Sequence, residues 1–309
     1  MRAGIAPWLV SLALAASAVG APPPPVPVDH HQHLLSPALV QAGQPPITAA
    51  TLIASLDAAG IKRAVILSNA YRVVPDEYHR VVAENDWTAR EAAKYPKRLV
   101  AFCGFNPLKD YALGELARCA RDPRFGRGIK LQFGNSGVDL EDPVDLAMLR
   151  RVFRAANAAG MAIVVHVVPS QARARIFLDE LLPAAPDVVV QIAHLGGGGG
   201  GALEPAAEQA LTVFAAAFTS NDPRVNRLYF DVSGITGGAD AAARAGKIAQ
   251  LLRLIGTKHL LYGSDGGDPT DPPPKDALAA FRKLPLMPVE LRAIEGNVAP
   301  YLATPYLSR

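Results

Sequence analysis

The stretch VPVDHHQHLL, residues 26–35, packs three of the chain's seven histidines into four positions, directly after a proline-rich lead-in. Read as a strand over 26–32, it places successive side chains on opposite faces. Asp29, His31 and His33 then share one face, and His30 and Gln32 take the other. Two imidazoles at i and i+2 stand about 7 Å apart at Cα. At the open end of a barrel both can reach one metal ion. A His-x-His pair alone is a weak signal and reads equally as a polar surface cluster, so its surroundings decide.

Working outward, the chain repeats one theme. Short β-branched runs fall at 26–32, 63–68 (RAVILS), 98–104 (RLVAFCG), 127–132 (RGIKLQ), 162–167 (AIVVHV), 188–194 (VVVQIAH), 228–233 (LYFDVS) and 259–263 (HLLYG). Helical patterns lie between them, such as ITAATLIASLDAAG, VDLAMLRRVFRAANAAG and DAAARAGKIAQLLRLIG. Gly60, Gly160 and Gly256 close these as C-caps. Continuously apolar strands separated by helices are parallel strands buried on both faces. Eight such units predict a single-domain α/β fold, a (β/α)8 TIM barrel over 28–305; an open doubly wound sheet is the other topology such a pattern allows.

The ionisable groups follow the strands. His166 ends strand five, His194 ends strand six, and Asp265 follows strand eight in LYGSDGG. Each sits at the C-terminal end of an apolar strand, where barrels of this kind build active sites. His79 and His259 fit no such pattern and read as ordinary.

Composition narrows the function classes. The 309 residues are 50% hydrophobic and 6% aromatic, with a net charge of +3. Basic and acidic residues are interleaved without a basic block, so no nucleic-acid partner is expected. Residues 1–20, MRAGIAPWLVSLALAASAVG, have the layout of a secretory signal peptide with cleavage after Ala18 or Gly20. The apolar run falls short of the ~20 residues a membrane span needs. Residues 21–27 form a proline-rich linker. The expectation is an exported protein, periplasmic or extracellular, with no membrane association after cleavage. Cys103 and Cys119 are compatible with one disulfide, but the favoured reading is two small buried apolar residues.

At this point the chain resembles the amidohydrolase superfamily, and within it the amidohydrolase-related branch of metal-dependent hydrolases and decarboxylases. DHHQH on strand one, His on strands five and six and Asp after strand eight carry the resemblance. GIKLQF, YGSDGGDP and the terminal IEGNVAPYL add to it, and together they cover residues 28–302. The resemblance implies that His31, His33, His166 and Asp265 bind a divalent metal, usually zinc. His194 is implied as a ligand of a second metal or as the group that positions water or substrate. Lys130 is implied either as a carbamylated bridge between two metals or as a plain ammonium facing a substrate carboxylate; one metal is the expectation. Members of the superfamily are often dimers or tetramers, so the resemblance leaves a homo-oligomer open.

The chemistry expected of such a site is hydrolysis of an amide, ester or lactone bond in a small molecule. Water is activated by the metal, Asp265 moves its proton and His194 donates to the oxyanion. Decarboxylation or hydration of a small carboxylated substrate is the alternative on the same residues. Substrate contacts are expected from Lys130 on strand four and from the strand-to-helix loops: Asn69 and Tyr71, Asn106, Gln132 and Asn135, Ser233, and Asp268. The run GGGGGG at 196–201 matches a dinucleotide fingerprint only by abundance and reads as flexible backbone beside the site. No Gly-x-Ser-x-Gly elbow occurs, which excludes a serine hydrolase of that type.

Overall fold

The computed structural model describes residues 25–198, 205–234, 241–267 and 271–303. The stretch expected to hold a signal peptide and most of the linker, Asp268 and the later part of the glycine run lie outside these residues. Eight strands run in chain order: β1 (Val26–Gln32), β2 (Ile61–Leu67), β3 (Leu99–Gly104), β4 (Phe125–Gln132), β5 (Ala162–His166), β6 (Val190–Ile192), β7 (Leu228–Asp231) and β8 (Leu260–Leu261). Every neighbouring pair is parallel, in the order β1 to β8. The sheet comes round on itself: His30 N donates to Tyr262 O at 2.9 Å, Asp265 N to His31 O at 2.9 Å and His33 N to Gly266 O at 2.7 Å. This is the (β/α)8 barrel, with helices such as Ala49–Ala59, Tyr78–Ala93, Pro143–Ala158 and Pro205–Thr219 crossing between strands. Among the described residues no helix is long and apolar enough to cross a membrane.

The barrel has two cores. A large outer one seals strands against helices through residues such as Leu56, Ile66, Leu131, Phe153, Ile163 and Phe230. A smaller inner one fills the barrel towards the N-terminal ends of the strands with Val28, Val65, Phe102, Ala162, Val164 and Val189. Phe102 fits there because Gly128 faces it; a Cβ on Gly128 would lie 2.0 Å from the ring. Tyr301, near the C-terminus, packs on Phe102 from below with ring centroids 5.2 Å apart.

Three expectations are corrected. β6 and β8 are shorter than 188–194 and 259–263, because the chain turns sharply where the ionisable groups begin. His194 and Leu195 have φ 53° and Asp265 has φ 59°, left-handed values that non-glycine residues rarely adopt. Second, Cys103 and Cys119 are bonded rather than free, joining β3 to the following helix with Cα atoms 6.2 Å apart. They lie close enough to be joined because the strand end and the helix Ala112–Arg121 bury both residues in one core. Third, Asp29 does not share a face with His31 and His33. The register against β2 shifts between Asp29 and Gln32, and such an irregularity re-aims the side chains beyond it.

Candidate metal centre

The bulge in β1 sorts DHHQH into two jobs. Asp29 is buried, and its carboxylate accepts from His31 N at 3.1 Å, Gln32 Nε2 at 3.0 Å, Ser264 N at 3.0 Å and Ser264 Oγ at 2.5 Å. His30 bonds Tyr262 O through Nδ1 at 3.0 Å and accepts from Ala299 N at 3.1 Å. These two residues stitch the barrel together. His31 and His33 face a cavity of about 310 Å³ at the C-terminal ends of the strands.

Glycines after β8 let this happen. A Cβ on Gly263 would come within 2.9 Å of His31 Cβ, and one on Gly267 within 2.3 Å of His33 Cβ. The segment carrying Asp265 therefore lies flush against β1. His31 Nε2 is 3.2 Å from His33 Nε2 and 3.4 Å from Asp265 Oδ1. Asp265 Oδ1 is 3.8 Å from His33 Nε2, and its Oδ2 is 3.8 Å from His194 Nε2.

The partners of the other ring nitrogens assign the tautomers. His31 Nδ1 faces Asp231 Oδ2 at 3.0 Å, His33 Nδ1 faces Leu67 O at 2.6 Å, and His194 Nδ1 faces Ser233 O at 3.1 Å. Each acceptor holds the proton on Nδ1, which leaves Nε2 bare and turned inward. Two bare lone pairs 3.2 Å apart repel unless a cation lies between them. Two nitrogens 2.0–2.1 Å from one tetrahedral zinc stand about 3.3 Å apart, so this donor set fits a divalent ion. Lys130, buried on β4, places Nζ 3.4 Å from His31 Nε2.

Electrostatics point the same way. Burial, then Lys130, lowers the pKa of His31; burial, then His31 and Lys130, lowers His33 further. Burial would raise Asp265, but His194, His31, His33 and Lys130 outweigh it and hold the carboxyl at about 2. Burial brings Lys130 down to about 8 against the pull of Asp231 and Asp265. Neutral imidazoles beside an ionised carboxylate are the protonation states a metal requires of its ligands.

The remaining expected residues divide. His166 lines the cavity with its ring 4.9 Å from that of His194, but stands apart from the tight His31, His33 and Asp265 group. Burial, then His194, lowers its pKa to about 2. Lys130, Asn69, Tyr71, Gln132 and Asn135 all line the cavity. Asn69 is already engaged, donating to Leu34 O at 3.0 Å and accepting from Tyr71 at 3.1 Å. Gln132 Oε1 accepts from Asn135 N at 2.6 Å, capping a short turn. Asn106 turns away, donating to Asp76 at 3.0 Å and accepting from Leu108 N at 3.0 Å. Ser233 lies behind the histidines, with Oγ 2.9 Å from His194 Nδ1 and 3.2 Å from His31 Nδ1. His79 is exposed beside Glu77, and His259 bonds Leu228 O at 2.9 Å, both away from the cavity.

Three residues escaped the sequence reading. Arg72, at the end of the short 3-10 helix Ala70–Arg72, and Asp271 line the cavity from positions that no sequence pattern marks. Asp231 is the other, fully buried at the end of β7. It accepts from Gln191 Nε2 at 2.7 Å and His194 N at 3.0 Å besides His31. Burial alone would raise its pKa, but His31, His194 and Ser233 together hold it well below the usual carboxylate range. A carboxylate within the apolar run LYFDVS was the available signal.

The sequence profile of the family described as Amidohydrolase matches residues 28–298. No curated protein matches the sequence. Among solved structures, 2,6-dihydroxybenzoate decarboxylase from Rhizobium has a TM-score of 0.59 at 17% identity, over 87% of this chain and 96% of that one. A probable 2-pyrone-4,6-dicarboxylic acid hydrolase from Acinetobacter baumannii, with citric acid bound, scores 0.58 at 18% identity over 88% and 100%. The 5-carboxyvanillate decarboxylase of Novosphingobium aromaticivorans, complexed with manganese and a nitrobenzoic acid, scores 0.56 at 16% identity over 88% and 94%. At these identities the likeness is one of fold.

Proposed function

The chain belongs to the amidohydrolase family, and from that premise we propose that it is an exported, metal-dependent hydrolase of small molecules. The observation that carries the reading is the convergence of His31, His33 and Asp265 on one point, with bare Nε2 atoms 3.2 Å apart. In this proposal these three, with His166, hold one zinc ion. Held by these residues, a divalent ion would supply Lewis acidity and a bound water with a pKa of about 7.

The chain's own groups do the rest. Asp265 takes a proton from the attacking water. His194 presents a bare Nε2 3.8 Å from Asp265 Oδ2, so it receives that proton before it donates one. As the imidazolium it donates to the developing oxyanion or the leaving group. Lys130 and Arg72 line the same cavity and offer positive charge to a carboxylated substrate.

That charge supports a second reading, non-oxidative decarboxylation, the activity named for the Rhizobium and Novosphingobium enzymes. Hydrolysis is preferred because the leader pattern of residues 1–20 points to export, away from most cytosolic catabolism of carboxylated aromatics. Lactones, esters and amides of small carboxylic acids should be turned over with net uptake of water. Release of carbon dioxide from carboxylated aromatics, with no hydrolysis, would reverse the choice. Export rests on the leader pattern of residues 1–20 and is supported by the Cys103–Cys119 bond, since oxidising compartments preserve disulfides.

A further inference from the structure

The C-terminal segment does more than plug the barrel. Ala299 N holds His30 on β1, and two residues on the Tyr301 hydroxyl donates to Gln191 Oε1 at 2.7 Å. Gln191 Nε2 in turn donates to Asp231 Oδ2 at 2.7 Å, the oxygen that His31 Nδ1 faces at 3.0 Å. Gln191 and Asp231 are fully buried, so each polar atom in the chain depends on its neighbour.

A buried amide has two faces. Turned by 180°, Gln191 would set its oxygen against the Asp231 carboxylate, oxygen to oxygen. Asp231 Oδ2 at 2.7 Å and His30 O at 3.4 Å can only accept, so they turn the NH2 group towards themselves, and the Tyr301 hydroxyl anchors the amide in that orientation by donating to Oε1 at 2.7 Å. With its carboxylate held in place, Asp231 keeps the His31 proton on Nδ1 and the bare Nε2 towards the cavity.

We infer that Tyr301 is a positioning residue for the metal centre, acting through Gln191 and Asp231 to set which nitrogen of His31 faces the cavity. The inference rests on the proposed role of His31 as a ligand. The test uses the mature chain and the Tyr301→Phe variant, which keeps the ring on Phe102 and loses only the hydroxyl. Zinc affinity is measured by competition with a chelator. The His31 tautomer is read in the metal-free, 15N-histidine-labelled protein. Ligand-supporting partners are worth 10–100-fold in metal affinity; for a group two bonds further out, a loss of about three- to tenfold is expected. The Nε2–H form of His31 should rise in parallel. Gln191→Met should do the same, and the double variant should lose no more than either single one.

Unchanged affinity and tautomer in Tyr301→Phe would overturn the inference, as would losses that add in the double variant. If the wild-type chain binds no zinc, the proposed function fails, and the tautomer measurement still decides the role of Tyr301.

Discussion

At the scale of single residues, Asp265 carries the largest claim. Its φ of 59° lies where Asn and Asp are tolerated better than other side chains. Asp265→Asn should therefore keep the backbone while removing both a ligand and the base. Turnover should fall by about 10²–10⁴ with little change in melting temperature; a variant that retains activity would remove Asp265 from the mechanism. His259 offers a prediction remote from the site. Its ring packs on Phe218, with centroids 4.6 Å apart, and Nδ1 bonds Leu228 O at 2.9 Å. Burial, the first cause, lowers its pKa. The folded chain then binds fewer protons than the unfolded chain below pH about 6.5. The contribution of His259 is full above that pH and declines as pH falls through the window beneath it. Denaturant titrations of wild type and His259→Gln should give curves that approach each other from pH 7.5 to 5. A constant gap would mean that His259 does not titrate with folding.

At the scale of elements, the path from pattern to structure is uneven. All eight strands were legible as largely apolar runs, because burial on both faces leaves its clearest trace in β3 and β5. His31 and His33 were legible for a different reason: ionisable side chains stood where an apolar run ended. The fate of Asp29 was not, since a bulge in β1 is set by contacts with Ser264 over two hundred positions away. Nor was the bond between Cys103 and Cys119, because two cysteines show no spacing rule and only the packing of β3 against its helix brings them together. Two tests belong here. Gly267→Ala would push on His33 Cβ, 2.3 Å from the new carbon, so metal affinity and turnover should fall well before stability does; equal effects on both would show a merely structural glycine. Replacing both cysteines by Ala opens a loop of sequence separation 16 and should cost about 3 kcal/mol in denaturant-induced unfolding. No loss would mean that the bond does not form in the purified protein.

At the scale of the whole molecule, the barrel divides labour between its ends. The N-terminal ends of the strands are packed shut by Phe102 and Tyr301, and the C-terminal ends open into the cavity that gathers His31, His33, Lys130, His166, His194 and Asp265. Stability and chemistry thus occupy opposite ends of one fold, as barrels of this kind arrange them. The claim on which the rest depends is that this gathering exists to hold a metal. It is tested most directly by purifying the mature chain without added metal and measuring its metal content by elemental analysis, beside a His31→Ala, His33→Ala double variant of matched circular dichroism. The account predicts about one divalent ion per chain, lost in the variant. No bound metal in the wild-type chain, even after incubation with zinc or manganese, would contradict it.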